Sequence, residues 1–165
     1  MRYFDSSVVL KLYVPEPNSE LARTFVQDAG QPPVLTRLHL LELKTAARQK
    51  LGRGELSASE LQKVLADFDS DLIRGLFREA SLDWAAVFAR AESLSRQHAA
   101  ATLCRTLDTL HVAIALELGA TEFCTVDKRQ AAMARLVGLI IVPVLTMDIP
   151  QIKPLGLFAM RLKVP

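Results

Sequence analysis

The chain has 165 residues, of which 50% are hydrophobic and 23% charged, and its formal net charge is +2. That length supports one sizeable core rather than two domains, and the composition excludes disordered, collagen-like and disulfide-scaffold classes. So small a net charge also excludes a domain that binds nucleic acid through its total charge alone, leaving local clusters to carry any such role.

Tyr3-Phe4-Asp5 predicts a short first strand turning into a helix over Val8 to Val14, stopped by Pro15 and Pro17. No apolar signal region or cleavage site follows the first residues, so a cytoplasmic protein is expected. Leu21, Phe25 and Val26 predict a second helix over about Ser19 to Ala29, closed by Gly30 and the Pro32-Pro33 pair. Val34-Leu35-Thr36 then reads as a buried strand feeding a helix through Leu38, Leu41, Leu43 and Ala46-Ala47, which Gly52 and Gly54 end.

Ser57 and Glu60 have the spacing of a capping box ahead of an amphipathic helix with Leu61, Val64, Leu65 and Phe68. Asp83 is placed to cap a long helix carrying Trp84, Val87, Phe88, Ala91 and Leu94 on one face. From Thr106 to Leu116 the sequence is apolar on nearly every side, the pattern of a helix buried all round and ended by Gly119. Glu122 to Val126 predicts a strand, Lys128 to Val137 a helix, and Leu139 to Val144 another strand.

This alternation of apolar strands and helices predicts an α/β fold, a single domain with a central parallel sheet flanked by helices on both faces. The domain is expected over residues 1–146, with 147–165 a C-terminal extension containing three prolines. The apolar stretch Leu139 to Leu145 is too short to span a bilayer and contains Pro143, so no membrane association is expected. Cys104 and Cys124 lack metal or redox spacing and read as small buried hydrophobes in a reducing compartment.

Most of the 18 acidic residues lie in polar stretches where solvation explains them, but Asp5, Glu42, Asp108 and Asp127 lie in or against apolar runs. Burying an ionised carboxylate is costly unless it is paired or holds a metal. Asp5 and Asp127 follow strands and should meet at the carboxyl edge of a parallel sheet, where ligands bind. With Thr106 as N-cap, Asp108 falls in the first turn of its helix, and a start after Thr36 places Glu42 about two turns into its own. Two like charges about 4 Å apart repel by about 4 kcal/mol at an effective dielectric near about 20, so four converging carboxylates call for a cation. Oxygen-only donors suit Mg²⁺ or Mn²⁺, whose water can attack a phosphorus.

Asp5-Ser6-Ser7 after the first strand, Glu42 in a leucine-rich helix, Leu107-Asp108-Thr109-Leu110-His111 and Thr125-Val126-Asp127 together resemble the PIN domain, in particular its VapC-type toxin branch. The resemblance runs to about Val144, with Asp5-Ser6-Ser7 departing mildly from the commoner Asp-Thr-Ser. It implies a Mg²⁺- or Mn²⁺-dependent endoribonuclease, an RNA substrate, homodimerisation and a small VapB-like antitoxin. It also implies ligand roles for Asp5, Glu42, Asp108 and Asp127.

Each acid also has a simpler reading. Asp5 and Asp127 suit helix N-caps, Asp108 the positive end of a helix, and Glu42 a solvated helix position. Ser6 and Thr125 are supporting candidates through their hydroxyls, while His111 reads as a satisfied core residue outside the site. Lys44, Arg48, Lys50 and Arg53 beyond Glu42, together with Arg105, Lys128 and Arg129, form either a phosphate-attracting rim or a solvated face. The absence of a Gly-rich strand-to-helix turn argues against a dinucleotide site, and Ser7 stands where a dehalogenase-like phosphatase wants a second Asp. A non-catalytic RNA-binding or scaffold protein of this fold, or a nuclease acting in RNA processing or on DNA, remains as an alternative.

Overall fold

The computed structural model describes residues 1–143; the boundary at 146 and the extension over 147–165 lie outside the described residues. Strand β1 (Arg2–Phe4) leads into α1 (Ser6–Leu10), α2 (Ser19–Gln27), β2 (Val34–Leu35), α3 (Arg37–Gly52) and α4 (Ala58–Ile73). Then come β3 (Arg78–Glu79), α5 (Trp84–Thr102), α6 (Thr106–Glu117), β4 (Glu122–Thr125), α7 (Lys128–Leu136) and β5 (Ile140–Pro143). The α/β class and the capping box of Ser57 and Glu60 are as the sequence predicts, and Asp83 caps α5 through the N–H groups of Ala85 and Ala86.

The main sheet has the order β1-β4-β5 and is parallel throughout, with Tyr3 opposite Phe123 and Phe4 opposite Cys124. Successive side chains on a strand point to opposite faces. Tyr3 and Phe123 accordingly pack with Val87, Ile114 and Met133 of α5, α6 and α7, whereas Phe4 and Cys124 pack with Val8, Leu43 and Phe68 of α1, α3 and α4. Helix α6 is buried from Thr109 to Ala115, as its all-round apolar sequence requires.

Strand β2 does not join this sheet but pairs with β3, Val34 opposite Arg78 and Leu35 opposite Glu79. The two residues of β3 are exposed and charged, with no apolar pattern by which a strand is read. At the outer edge of β1, the Phe4 carbonyl accepts a hydrogen bond from His39 Nε2 at 3.0 Å, so an imidazole occupies the place of a strand neighbour. His39 Nδ1 accepts the Thr36 N–H at 3.1 Å. Burial, with His111 adding to it, lowers the His39 pKa to about 3 and keeps the ring neutral, as these two roles demand.

Helix α1 is shorter than its apolar run suggests, ending at Leu10, with a turn over Lys11 to Tyr13. Lys11, itself buried, reaches Glu16 at 2.6 Å, and the other oxygen of Glu16 accepts from Lys50 at 2.5 Å. Both thiols are free, and among the described residues no helix is long and apolar enough to cross a membrane.

Candidate active site

The parallel register brings the end of β1 beside the end of β4, where the Asp5 N–H donates to the Cys124 carbonyl at 3.0 Å. Asp5 caps α1: Oδ1 accepts the Val8 N–H at 3.0 Å and the Ser7 hydroxyl at 2.7 Å, while Oδ2 accepts the Thr125 hydroxyl at 2.6 Å. Only 4% of Asp5 is exposed. Burial raises its carboxyl pKa, although the His111 ring and these hydrogen bonds all pull it down.

Asp127 caps α7 through Oδ1, which accepts the N–H groups of Arg129 at 2.7 Å and Gln130 at 3.0 Å. Its own N–H donates to the Thr125 hydroxyl oxygen at 3.0 Å, so Thr125 ties the two strand-end acids together. The capping and ligand readings of Asp5 and Asp127 are therefore compatible. Thr125 also lies 2.5 Å from Oε1 of the buried Gln130, whose amide nitrogen reaches the Asp108 carbonyl at 3.5 Å.

The N-cap of α6 is Arg105, not Thr106: Arg105 has extended backbone, and its carbonyl accepts both the N–H and the hydroxyl of Thr109. Asp108 stays in the first turn. Burial raises its pKa most, Asp127 raises it further, the Arg105 N–H and His111 oppose the rise, and Asp5 adds a last increment. Asp108 therefore feels both other aspartates, a mutual repulsion that a cation would relieve.

Glu42 is half-buried on α3. Its Oε2 accepts the Ser6 hydroxyl at 2.6 Å and lies 2.5 Å from His111 Nε2, while Oε1 has no hydrogen-bond partner among the described residues. Burial raises the Glu42 pKa, but His111 and Ser6 outweigh it and leave the group below the usual range. His111 is a core residue, as its apolar surroundings predict, and is also joined to the Glu42 carboxylate. The signal for that second role is the one that singled out the acids: a polar side chain inside an apolar run.

Among the described residues, no three His, Cys, Asp or Glu side chains are gathered closely enough to cage a cation. In donor chemistry the four acids still fit Mg²⁺ or Mn²⁺, since all offer oxygen and the charges of Asp127 and Asp5 act unfavourably on Asp108. The cations beyond Glu42 are largely occupied: Lys44 pairs with Asp69, Lys50 with Glu16 and Glu55, and Arg53 with Glu55. Arg48, Arg105, Lys128 and Arg129 are exposed and have no ion-pair partner among the described residues. Two cavities of about 660 and 510 Å³ flank α5, and neither is lined by any of the four acids.

A parallel sheet covered on both faces, with Asp5 and Asp127 at its strand ends and Asp108 and Glu42 on neighbouring helices, makes this an α/β domain with its candidate acids towards one edge. The sequence profile of the PIN domain matches residues 2–136. Ribonuclease VapC46 from Mycobacterium tuberculosis is 30% identical over 142 residues, spanning 85% of this chain and 95% of that protein. The structure of FitAcB from Neisseria gonorrhoeae shares the fold, with a TM-score of 0.62 at 15% identity, over 87% of this chain and 98% of that one. The chain belongs to the PIN domain family.

Proposed function

We propose that this protein is a metal-dependent endoribonuclease, the toxin of a VapBC-like toxin–antitoxin pair. The observation that carries the reading is the match to the PIN domain over residues 2–136, with a ribonuclease relative 30% identical across most of the chain, and Asp5 and Asp127 tied together through Thr125 at the ends of β1 and β4. Mg²⁺ or Mn²⁺ held by Asp5, Glu42, Asp108 and Asp127 would supply Lewis-acid activation of water and neutralise charge at the phosphate. Thr125 and Ser7 orient Asp5, and Ser6 orients Glu42. Arg48, Arg105, Lys128 and Arg129, exposed and without an ion-pair partner among the described residues, would attract the RNA backbone.

Exposed Phe88, Leu103, Leu107 and Leu136 offer apolar surface for the VapB-like antitoxin and for a second copy of the chain. The cytoplasm is the compartment in which such a toxin meets its RNA.

Purified protein incubated with total RNA should produce fragments in Mg²⁺ or Mn²⁺ and none in EDTA, with activity returning when the metal is restored. Cleavage that continues undiminished in EDTA would overturn the metal dependence. Cleavage of single-stranded DNA but not RNA would overturn the substrate.

A further inference from the structure

Tyr3 and His111 are 1% and 3% exposed and have no part in the reading above. The Tyr3 hydroxyl lies 2.6 Å from His111 Nδ1, and His111 Nε2 lies 2.5 Å from Glu42 Oε2. We propose that Tyr3 and His111 are positioning residues: they pin Glu42 Oε2 through a buried line of hydrogen bonds and so leave Oε1 to meet the cation. This inference rests on the metal-dependent reading of the site.

Three observations support it. First, the line joins the elements that deliver three of the acids, because Asp5 follows β1, Asp108 sits one turn before His111 on α6, and Glu42 lies on α3. It is a cross-brace between backbones that share no ladder at this point. Second, the rings are fixed by packing: Tyr3 stacks on Phe123 of the central strand with centroids 5.3 Å apart, and His39 meets the His111 ring at 4.9 Å and 76°. Reorienting either ring would break contacts in the core.

Third, the hydrogen-bond chemistry has one consistent direction at Glu42. In a neutral His111 the phenol donates to Nδ1, and in a protonated ring Nδ1–H donates to the phenol oxygen. Nε2 carries its hydrogen towards Glu42 in both cases. With the Ser6 hydroxyl on the same oxygen, Oε2 has two donors and Oε1 has none among the described residues. A core built only for packing would hold Phe and Leu at these positions and bury no polar atoms that need each other.

The test uses Tyr3→Phe, His111→Leu and His111→Gln in the full chain, at a temperature where all are folded, and measures Mn²⁺ affinity by calorimetry alongside RNA cleavage. Loss of outer contacts to a metal ligand typically weakens binding by about 10- to 100-fold, so Tyr3→Phe should weaken Mn²⁺ about tenfold and His111→Leu at least as much. His111→Gln still offers an amide N–H to Glu42 and should recover most of the affinity. Cleavage should fall in kcat while KM for RNA holds. Nitrogen NMR of the His111 ring should show the Nδ1 signal moving in Tyr3→Phe, since its partner is gone. Parent-like Mn²⁺ affinity in Tyr3→Phe, or His111→Leu binding as tightly as His111→Gln, overturns the inference. Asp108→Asn serves as the control: if it too binds Mn²⁺ like the parent, the metal reading itself has failed, and if it alone loses Mn²⁺, only the positioning role has.

Discussion

Asp108→Asn lowers the rate of RNA cleavage by about 10³-fold or more, the several kcal/mol that a metal contributes at a phosphate, and the metal-free variant is more thermostable than the parent. The gain arises because Asp108 is crowded by burial, by Asp127 and by Asp5, which together raise its pKa above the ordinary 3.8. A raised carboxyl binds more protons in the folded than in the unfolded state, so stability falls as pH rises from the ordinary value through the raised one. Above the raised value the ionised group exerts its full unfavourable effect. Asparagine carries no charge, so the variant should not share this fall, and its advantage over the parent should open with rising pH and level off once the pH is above the raised value.

Differential scanning calorimetry in EDTA should show the variant melting above the parent, by a small margin because Asp108 is only partly buried and solvent screens the repulsion. Added Mn²⁺ reverses the order by stabilising the parent alone, because a ligand that binds only the folded site raises its melting temperature. A variant that melts below the parent at pH 7 in EDTA contradicts the crowding. One that cleaves RNA at the parent rate contradicts the ligand role.

The second large effect is in the core. Phe123→Ala is expected to cost about 3–5 kcal/mol, the usual range for truncating a buried aromatic ring. Phe123 is 0% exposed on the central strand of the main sheet and packs in the cluster with Ile114 and Met133. Its ring also backs Tyr3 at 5.3 Å, so the void left by alanine opens directly behind the line to His111 and Glu42. Urea unfolding followed by circular dichroism should show the loss, and a cost below about 1 kcal/mol would mean that the site collapses around the gap.

The placement of the acids on the fold was legible because a carboxylate beside apolar residues is anomalous wherever the chain places it. Asp5 and Asp127 were placed at strand ends by the β-to-α punctuation alone, and the structure sets both at helix N-caps joined through Thr125. The register that pairs Phe4 with Cys124 depends on contacts 120 residues apart and leaves no local mark. Tyr3 looked like any apolar strand residue, since only the fold shows what its hydroxyl meets. Lys44, Lys50 and Arg53 looked like a free basic stretch, yet their partners Asp69, Glu16 and Glu55 are set by packing between helices and loops. The N-cap of α6 moved by one residue because Arg105 takes the extended conformation that the hydroxyl of Thr106 suggested for itself.

The separation of β2 and β3 from the main sheet has a consequence for assembly. Asp5, Asp108 and Asp127 ride on β1, α6 and the end of β4, whereas Glu42 arrives on α3, directly after a strand of the other sheet. Cooperative units within one domain open with different free energies. Because α3 packs Leu43 in the cluster with Phe4 and Cys124 and caps the Phe4 carbonyl through His39, any opening of the β2–α3 segment would withdraw Glu42 and uncover the edge of β1 in the same event.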